Sequence, residues 1–228
     1  MQFMLIAAAL VAGSPQPVNA LASNHEAASV LAEHVQTGTL ILSQGDCLAV
    51  RVFTASPYTH VAAVVVEQGH PVVYDCANGV GVRKQLLEEY LDSQSPDAIH
   101  VFHPCTPFSA EQAQAFETSL NKQLGRAYGI KHHLTGRRAE GLHCAEYVTD
   151  ALMSPGLIHA NSPPRVSPAS LVEGILKADL YSLPHTFELN EPVVVIDKDA
   201  PWCSRMWAGT KLCTINCCSK MSGWFLCR

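Results

Sequence analysis

A run of β-branched residues that turns back on itself constrains this chain more than any other stretch. His60-Val61-Ala62-Ala63-Val64-Val65-Val66 is dense in valine, whose stiff side chain suits an extended strand. Gln68-Gly69 reads as a tight turn, and Pro71-Val72-Val73-Tyr74-Asp75-Cys76 returns as the partner strand. With a two-residue loop, Glu67 faces His70 and Ala62 faces Asp75. His60 shares a face with Ala62, because strand side chains alternate with period two. Asp75 then falls one diagonal step from His60, roughly 7–8 Å between backbones. One more residue in the loop would turn Asp75 to the other face. Tyr74 points away from Asp75 and is expected to be packing, and His70 is expected in solvent.

The second constraint is Gly141-Leu142-His143-Cys144-Ala145-Glu146-Tyr147-Val148. Cys144, Val148, Ala151 and Leu152 recur at i, i+4, i+7 and i+8, on one helix face. Cys144 therefore stands in the first turn and looks inward. There the helix dipole and unpaired N–H groups favour a thiolate. Taken alone, Cys144 is better described as a buried small hydrophobe. Its neighbour His143 is not expected to face it, since adjacent helical residues diverge. Cysteine catalysis needs a thiolate, an imidazole and a polar group that orients the imidazole. Cys144, His60 and Asp75 supply all three, provided the helix packs on the strand face that carries His60. The competing arrangement is a metal cluster of His132, His133 and His143 with Cys144. Adjacent histidines point apart, so no metal and no cofactor is expected.

The remaining pattern mixes helices and strands in an α+β core. Asn24 to Thr37 reads as a helix that Gly38 closes, and short strands are expected at Thr39–Leu42, Leu48–Phe53, Val80–Val82 and Ala98–Phe102. Leu86 to Leu91 is a helical turn. Ser109 caps a clear helix, with Gln112 completing a capping box and Phe108 as a staple. Gly125-Arg126-Ala127-Tyr128-Gly129 is a loop. Ser167-Pro168 starts a short helix with proline at its first position, and Pro192–Ile196 is a last strand.

At the N-terminus, Phe3 to Ala12 is apolar and Ala20-Leu21-Ala22 is a small-x-small cleavage signal, so residues 1–22 are expected to be a signal peptide. An uncleaved anchor and an N-terminal core helix are the alternatives. Residues 23–200 form the expected catalytic domain and 201–228 a tail. The tail holds five of the nine cysteines without the C-x-x-C spacing of a zinc ribbon. Disulfides in an exported protein, or contact of the tail with a membrane surface, would each account for it. The net charge of −5 and the scattered Lys and Arg residues exclude nucleic acid as an expected partner.

Five segments together resemble a known family. Gly38-Thr-Leu-Ile-Leu, Ser56-Pro-Tyr-Thr-His60-Val-Ala-Ala-Val-Val, Val73-Tyr-Asp75-Cys-Ala, Gly125-Arg-Ala-Tyr128-Gly and His143-Cys144-Ala-Glu146-Tyr-Val look like the circularly permuted NlpC-type, papain-like cysteine hydrolases of the YiiX/YaeF-like branch. There the histidine strand precedes the cysteine helix, as it does here. The resemblance implies a central antiparallel sheet packed on the cysteine-bearing helix. It implies Cys144 as nucleophile, His60 as base and Asp75 as orienting group, where relatives often carry Glu. Tyr128 in the Gly-x-x-Tyr loop and Tyr58 in the histidine motif are the expected substrate-contacting residues. Glu146 follows the family's Cys-Ser-Glu pattern, with Ala145 replacing the serine. The implied activity is cleavage of amide bonds in peptides, peptidoglycan fragments or acyl-amides, in a secreted or envelope-facing protein. A thiol acyltransferase acting on lipid and an inactive binding module of the same fold are the alternatives.

Overall fold

The structure is a computed structural model that describes residues 19–21, 24–44, 58–94, 98–138, 140–189, 201–203 and 206. Seven strands form one sheet. They are β1 (Asn19–Leu21), β2 (Leu40–Gln44), β3 (Tyr58–Glu67), β4 (His70–Ala77), β5 (Gly81–Leu86), β6 (Ala98–Phe102) and β7 (His185–Leu189), standing in the order β1-β7-β6-β2-β3-β4-β5. Every pairing is antiparallel except the short β1–β7 edge. Among the described residues six α-helices accompany it: α1 (Asn24–His34), α2 (Leu87–Gln94), α3 (Ala110–Lys122), α4 (Lys131–Thr135), α5 (Cys144–Met153) and α6 (Pro168–Lys177).

Strand alternation divides the interior into two cores. Ile41, Ala62, Val64 and Val73 face α1 and α2, where they meet Leu31, Tyr90 and Leu91. Leu42, Val61, Ala63, Tyr74 and Cys76 face the other way, against Val148 and Leu152 of α5, Phe116 of α3 and Leu171 of α6. The expected α+β architecture is therefore present, with helices covering both sheet faces. Ser109 caps α3 in a capping box with Gln112, as the sequence predicts. Ser167 caps α6 with Pro168 at its first position, but α6 runs on to Lys177 because Val172 and Ile175 continue its buried face. The strand β7 is not anticipated by the sequence: Phe187 is buried, but the exposed His185 and half-buried Thr186 dilute the pattern. The expected strands at Leu48–Phe53 and Pro192–Ile196 lie outside the described residues. So do residues 1–18 and most of the tail. Asn19–Leu21, within the expected leader, forms β1.

The β3–β4 hairpin takes the two-residue turn. Gln68 and Gly69 have φ of 51° and 86°, and the register runs from Glu67 opposite His70 to Ala63 opposite Tyr74. The ladder then stops. Beyond Ala63, β3 stays with β2 as far as His60 opposite Ser43, where the register shifts. Beyond Tyr74, β4 stays with β5 as far as Ala77 opposite Gly81. The two strands thus part at one end of the sheet, and the chain fills that opening with the approach to α5.

Two glycines allow the filling. Gly81 has φ +94°, and a Cβ there would lie 2.3 Å from the Arg126 carbonyl oxygen. Its absence lets Val82 exchange backbone hydrogen bonds with Gly125 and Arg126 at 2.9 and 2.8 Å. A Cβ on Gly141 would lie 2.9 Å from both the Ala127 carbonyl oxygen and the Gly129 nitrogen. Leu142 and Gly129 therefore bond closely, bridging Tyr128 to Leu142. Residues 125–129 are held between the free edge of β5 and the start of α5.

Candidate active site

The helix α5 begins abruptly because His143 caps it. The His143 backbone is extended, and its ring Nδ1 accepts the Glu146 N–H at 3.3 Å. The opposite ring nitrogen, Nε2, donates to the Pro164 carbonyl at 2.9 Å. That pairing places a proton on Nε2, and although burial pulls the ring's pKa down, the hydrogen bond and charge of Cys144 carry it above the ordinary value. The ring is 5% exposed and lies edge-on to His133, with centroids 5.4 Å apart. The expectation that His143 does not face Cys144 is corrected here, because the two side chains hydrogen-bond. An N-cap residue lies outside the helical turn, so the divergence of helical neighbours does not apply to it. The sequence carries the signal as a polar residue before an apolar helical repeat, but histidine is an uncommon cap. Replacing His143 by alanine is expected to cost about 1 kcal/mol of stability, read by denaturant unfolding, and asparagine should restore most of it.

With the cap in place, Cys144 sits in the first turn, 7% exposed and a free thiol. Burial by itself raises the thiol pKa. The charge of His60 and the neighbouring His143 and His60 rings override burial and bring it down to about 5. His60, on β3, is pulled down by burial, but the Cys144 charge and hydrogen bonds to Asp75 and Cys144 carry it up to about 10. Its Nε2 lies 3.2 Å from an Asp75 carboxylate oxygen. The remaining nitrogen, Nδ1, is the one left for the thiol. The ring also stacks on Tyr90 at 6.3 Å, which limits its rotation.

Asp75 has no exposed surface. Burial alone would raise its pKa, but the His60 hydrogen bond and charge, together with Arg83, hold it below the ordinary carboxylate value. Arg83 stands directly opposite Asp75 on β5 and donates from Nε at 2.9 Å and from Nη2 at 3.4 Å. Nη2 continues to the Ser93 hydroxyl at 3.0 Å, which in turn donates to the Tyr90 carbonyl. Arg83 is a site residue that sequence reasoning missed. A two-residue Asn78-Gly79 turn would have set Val82 across from Asp75; the loop instead has three residues, 78–80, and the added one brings Arg83 opposite Asp75.

One expectation is corrected by the layering. The cysteine helix does not pack on the strand face that carries His60. His60 and Asp75 lie on the side of Ala62 and Tyr90, whereas α5 packs against Val61 and Ala63 on the other side. The residues meet because β3 and β4 have separated at this end. The His60 side chain hydrogen-bonds Cys144 at this end, and the approach to the helix is anchored here, where the Cys76 thiol donates to the Leu142 carbonyl at 3.1 Å.

Tyr128 is half-buried and close enough to Cys144 and Cys76 that burial and their charges push its phenol up. Tyr58 is half-buried with its ring edge-on to His100 and Phe102, at 5.2 and 6.3 Å. Tyr74 is fully buried, its hydroxyl on Glu67 and Asn121, and His70 is exposed. Glu146 is 1% exposed, with a carboxylate oxygen 4.0 Å from His143 Nε2. Among the described residues no group of three or more His, Cys, Asp or Glu could hold a metal ion, and no helix is long and apolar enough to cross a membrane. The His132 side chain lies outside the described residues.

Comparison with known proteins adds three findings. A family model described as permuted papain-like amidase enzyme, YaeF/YiiX, C92 family, matches residues 34–171. The crystal structure of the metalloprotein YiiX from Escherichia coli O157:H7 is similar at a TM-score of 0.48 and 20% identity, over 73% of this chain and 93% of that one. No curated protein matches the chain.

Proposed function

This chain belongs to the permuted papain-like amidases of the YaeF/YiiX, C92 family, and we propose that it hydrolyses amide bonds through a Cys144–His60–Asp75 triad. The observation that carries this reading is the charge pairing of Cys144 and His60 above the buried Asp75–Arg83 pair. The thiolate attacks the carbonyl carbon, and the oxyanion forms beside the Cys144 N–H, a first-turn donor that the helix itself does not use. His60 gives its proton to the nitrogen as the carbon–nitrogen bond breaks, leaving an amine and a thioester. Water, deprotonated by His60, then attacks the thioester, and the carbon–sulfur bond breaks to restore the thiolate. Asp75 holds the His60 ring through Nε2, and Arg83 holds Asp75. Tyr128 and Tyr58 flank the cleft as substrate contacts. An inactive module would be favoured by a Cys144 tied in a disulfide or an Asp75 turned from His60. Neither feature is present. The substrates proposed are peptides, peptidoglycan fragments or acyl-amides. The apolar leader supports an exported, envelope-facing protein, which N-terminal sequencing of the mature chain tests.

The reading is tested without knowing the substrate. Alkylation of Cys144, followed by peptide mass mapping, should be half-maximal near pH 5. At pH 6 it should already be close to its plateau. In His60→Ala the midpoint should move up by more than one unit. Alkylation of wild-type Cys144 that rises only at alkaline pH would overturn the ion pair. Once a substrate is found, kcat/KM should follow a bell. Its acid limb reports protonation of the thiolate near 5, and its alkaline limb loss of the His60 proton near 10, the two values belonging to the coupled pair.

A further inference from the structure

One segment of this chain concentrates positive charge. Residues 122–138 hold five of the fifteen Lys and Arg residues (Lys122, Arg126, Lys131, Arg137 and Arg138) and no Asp or Glu, in a chain whose net charge is −5. Read along the sequence they are scattered. In the fold this segment wraps the start of α5. Arg126 donates to the Glu140 carbonyl, Arg138 pairs with Asp150 on α5, and Tyr128 bridges to Leu142. The fold also adds a sixth cation from elsewhere. The Arg165 guanidinium lies over Gly136, where a Cβ would come within 2.5 Å of its Nε. Lys122, Arg126 and Arg138 line one open hollow between α3 and α5.

The same segment exposes large apolar side chains between the cations. Leu124 is 37% exposed and Ile130 48%, while Val80, in the turn beside the Val82–Arg126 pairing, is 63% exposed. Cations interleaved with protruding apolar residues match the two layers of a bilayer surface. The charges meet anionic headgroups and the apolar tips enter the acyl boundary. An acidic polypeptide would use the cations but has no need of exposed Leu124, Ile130 and Val80.

We propose that residues 122–138, with Val80 and Arg165, form a docking surface for an anionic lipid bilayer beside the start of α5. The surface does not depend on the catalytic role of Cys144. Cys144→Ala should bind vesicles as the wild type does, so failure of one reading leaves the other standing.

The test is co-sedimentation of the full chain with phosphatidylcholine vesicles, with and without phosphatidylglycerol, at low salt. Binding should require the anionic lipid and should fall when salt is raised. Lys122→Gln/Lys131→Gln should lower the partition coefficient about 30-fold, at about fivefold per cation near the surface. Ile130→Ser should weaken binding at high salt more than at low salt. All these positions are solvent-facing, and circular dichroism of the variants should match the wild type. The variants keep the C-terminal tail intact, so binding that survives the double lysine change belongs to the tail and overturns the proposal. Equal binding to neutral vesicles, or retention by polyglutamate with no retention by anionic vesicles, overturns it as well.

Discussion

Replacing Cys144 by alanine is expected to lower amide hydrolysis by about 10⁴ to 10⁶-fold while leaving the fold intact, because the change removes a single sulfur atom. His60→Ala should lose a comparable amount. The double variant should be no slower than the worse of the two singles, since a nucleophile and its base act as one unit. Measured on any amide or ester substrate that the wild type turns over, additive losses would mean that the two residues do not share a step. Thermal unfolding separates the variants further. Cys144→Ala should unfold near the wild-type temperature. His60→Ala should be destabilised, because it leaves the buried Asp75 facing an empty position and strips the stacked ring from Tyr90.

The second large effect is expected at Asp75. Asp75→Asn should reduce turnover by about 10²–10⁴-fold, because an amide can present a donor to His60 Nε2 and turn the ring into the wrong tautomer. It should also cost about 2–4 kcal/mol of stability. Breaking a buried ion pair is more expensive than that in full burial, but Arg83 retains 23% of its side-chain exposure and can recover some hydration. Asp75→Asn/Arg83→Gln separates the two roles. Removing the stranded cation should recover at least half of the lost stability, read by denaturant unfolding, and none of the lost activity. Recovery of both would make Asp75 a structural partner of Arg83 and not the group that orients His60.

How far the site was legible depends on the distance over which each residue is determined. His60 and Asp75 are placed together by a two-residue turn eight positions from one and six from the other, so the valine pattern and Gln68-Gly69 suffice. Cys144 is placed in a first turn by its own helical repeat. Arg83 escaped because the turn at Asn78-Gly79 takes in Val80 as a third loop residue, which shifts the register by one from the two-residue turn that the sequence suggests. His143 escaped because its role is a backbone cap through a ring nitrogen, which no periodicity reports. The layering escaped for a different reason. Alternation assigns a side chain to a face only while the strands remain paired, and β3 and β4 part beyond Ala63 and Tyr74. The basic surface needed Arg165 brought to Gly136 from 29 positions away, and β7 is held at the sheet by pairing with β6 more than by its own apolar content.

The separation of β3 from β4 has a consequence for the whole molecule. The imidazole and its carboxylate are rooted in one hydrophobic core and the thiol in the other, with the sheet between them. The reacting atoms therefore act as a clasp across the sheet, and their alignment registers the seating of both helical layers at once. A slight slide of α2 moves the carboxylate's support through Ser93 and Tyr90. A slight slide of α5 moves the sulfur. Loosening on either side disengages the clasp well before the chain unfolds, so reactivity of the thiol is a more sensitive gauge of native order than secondary structure.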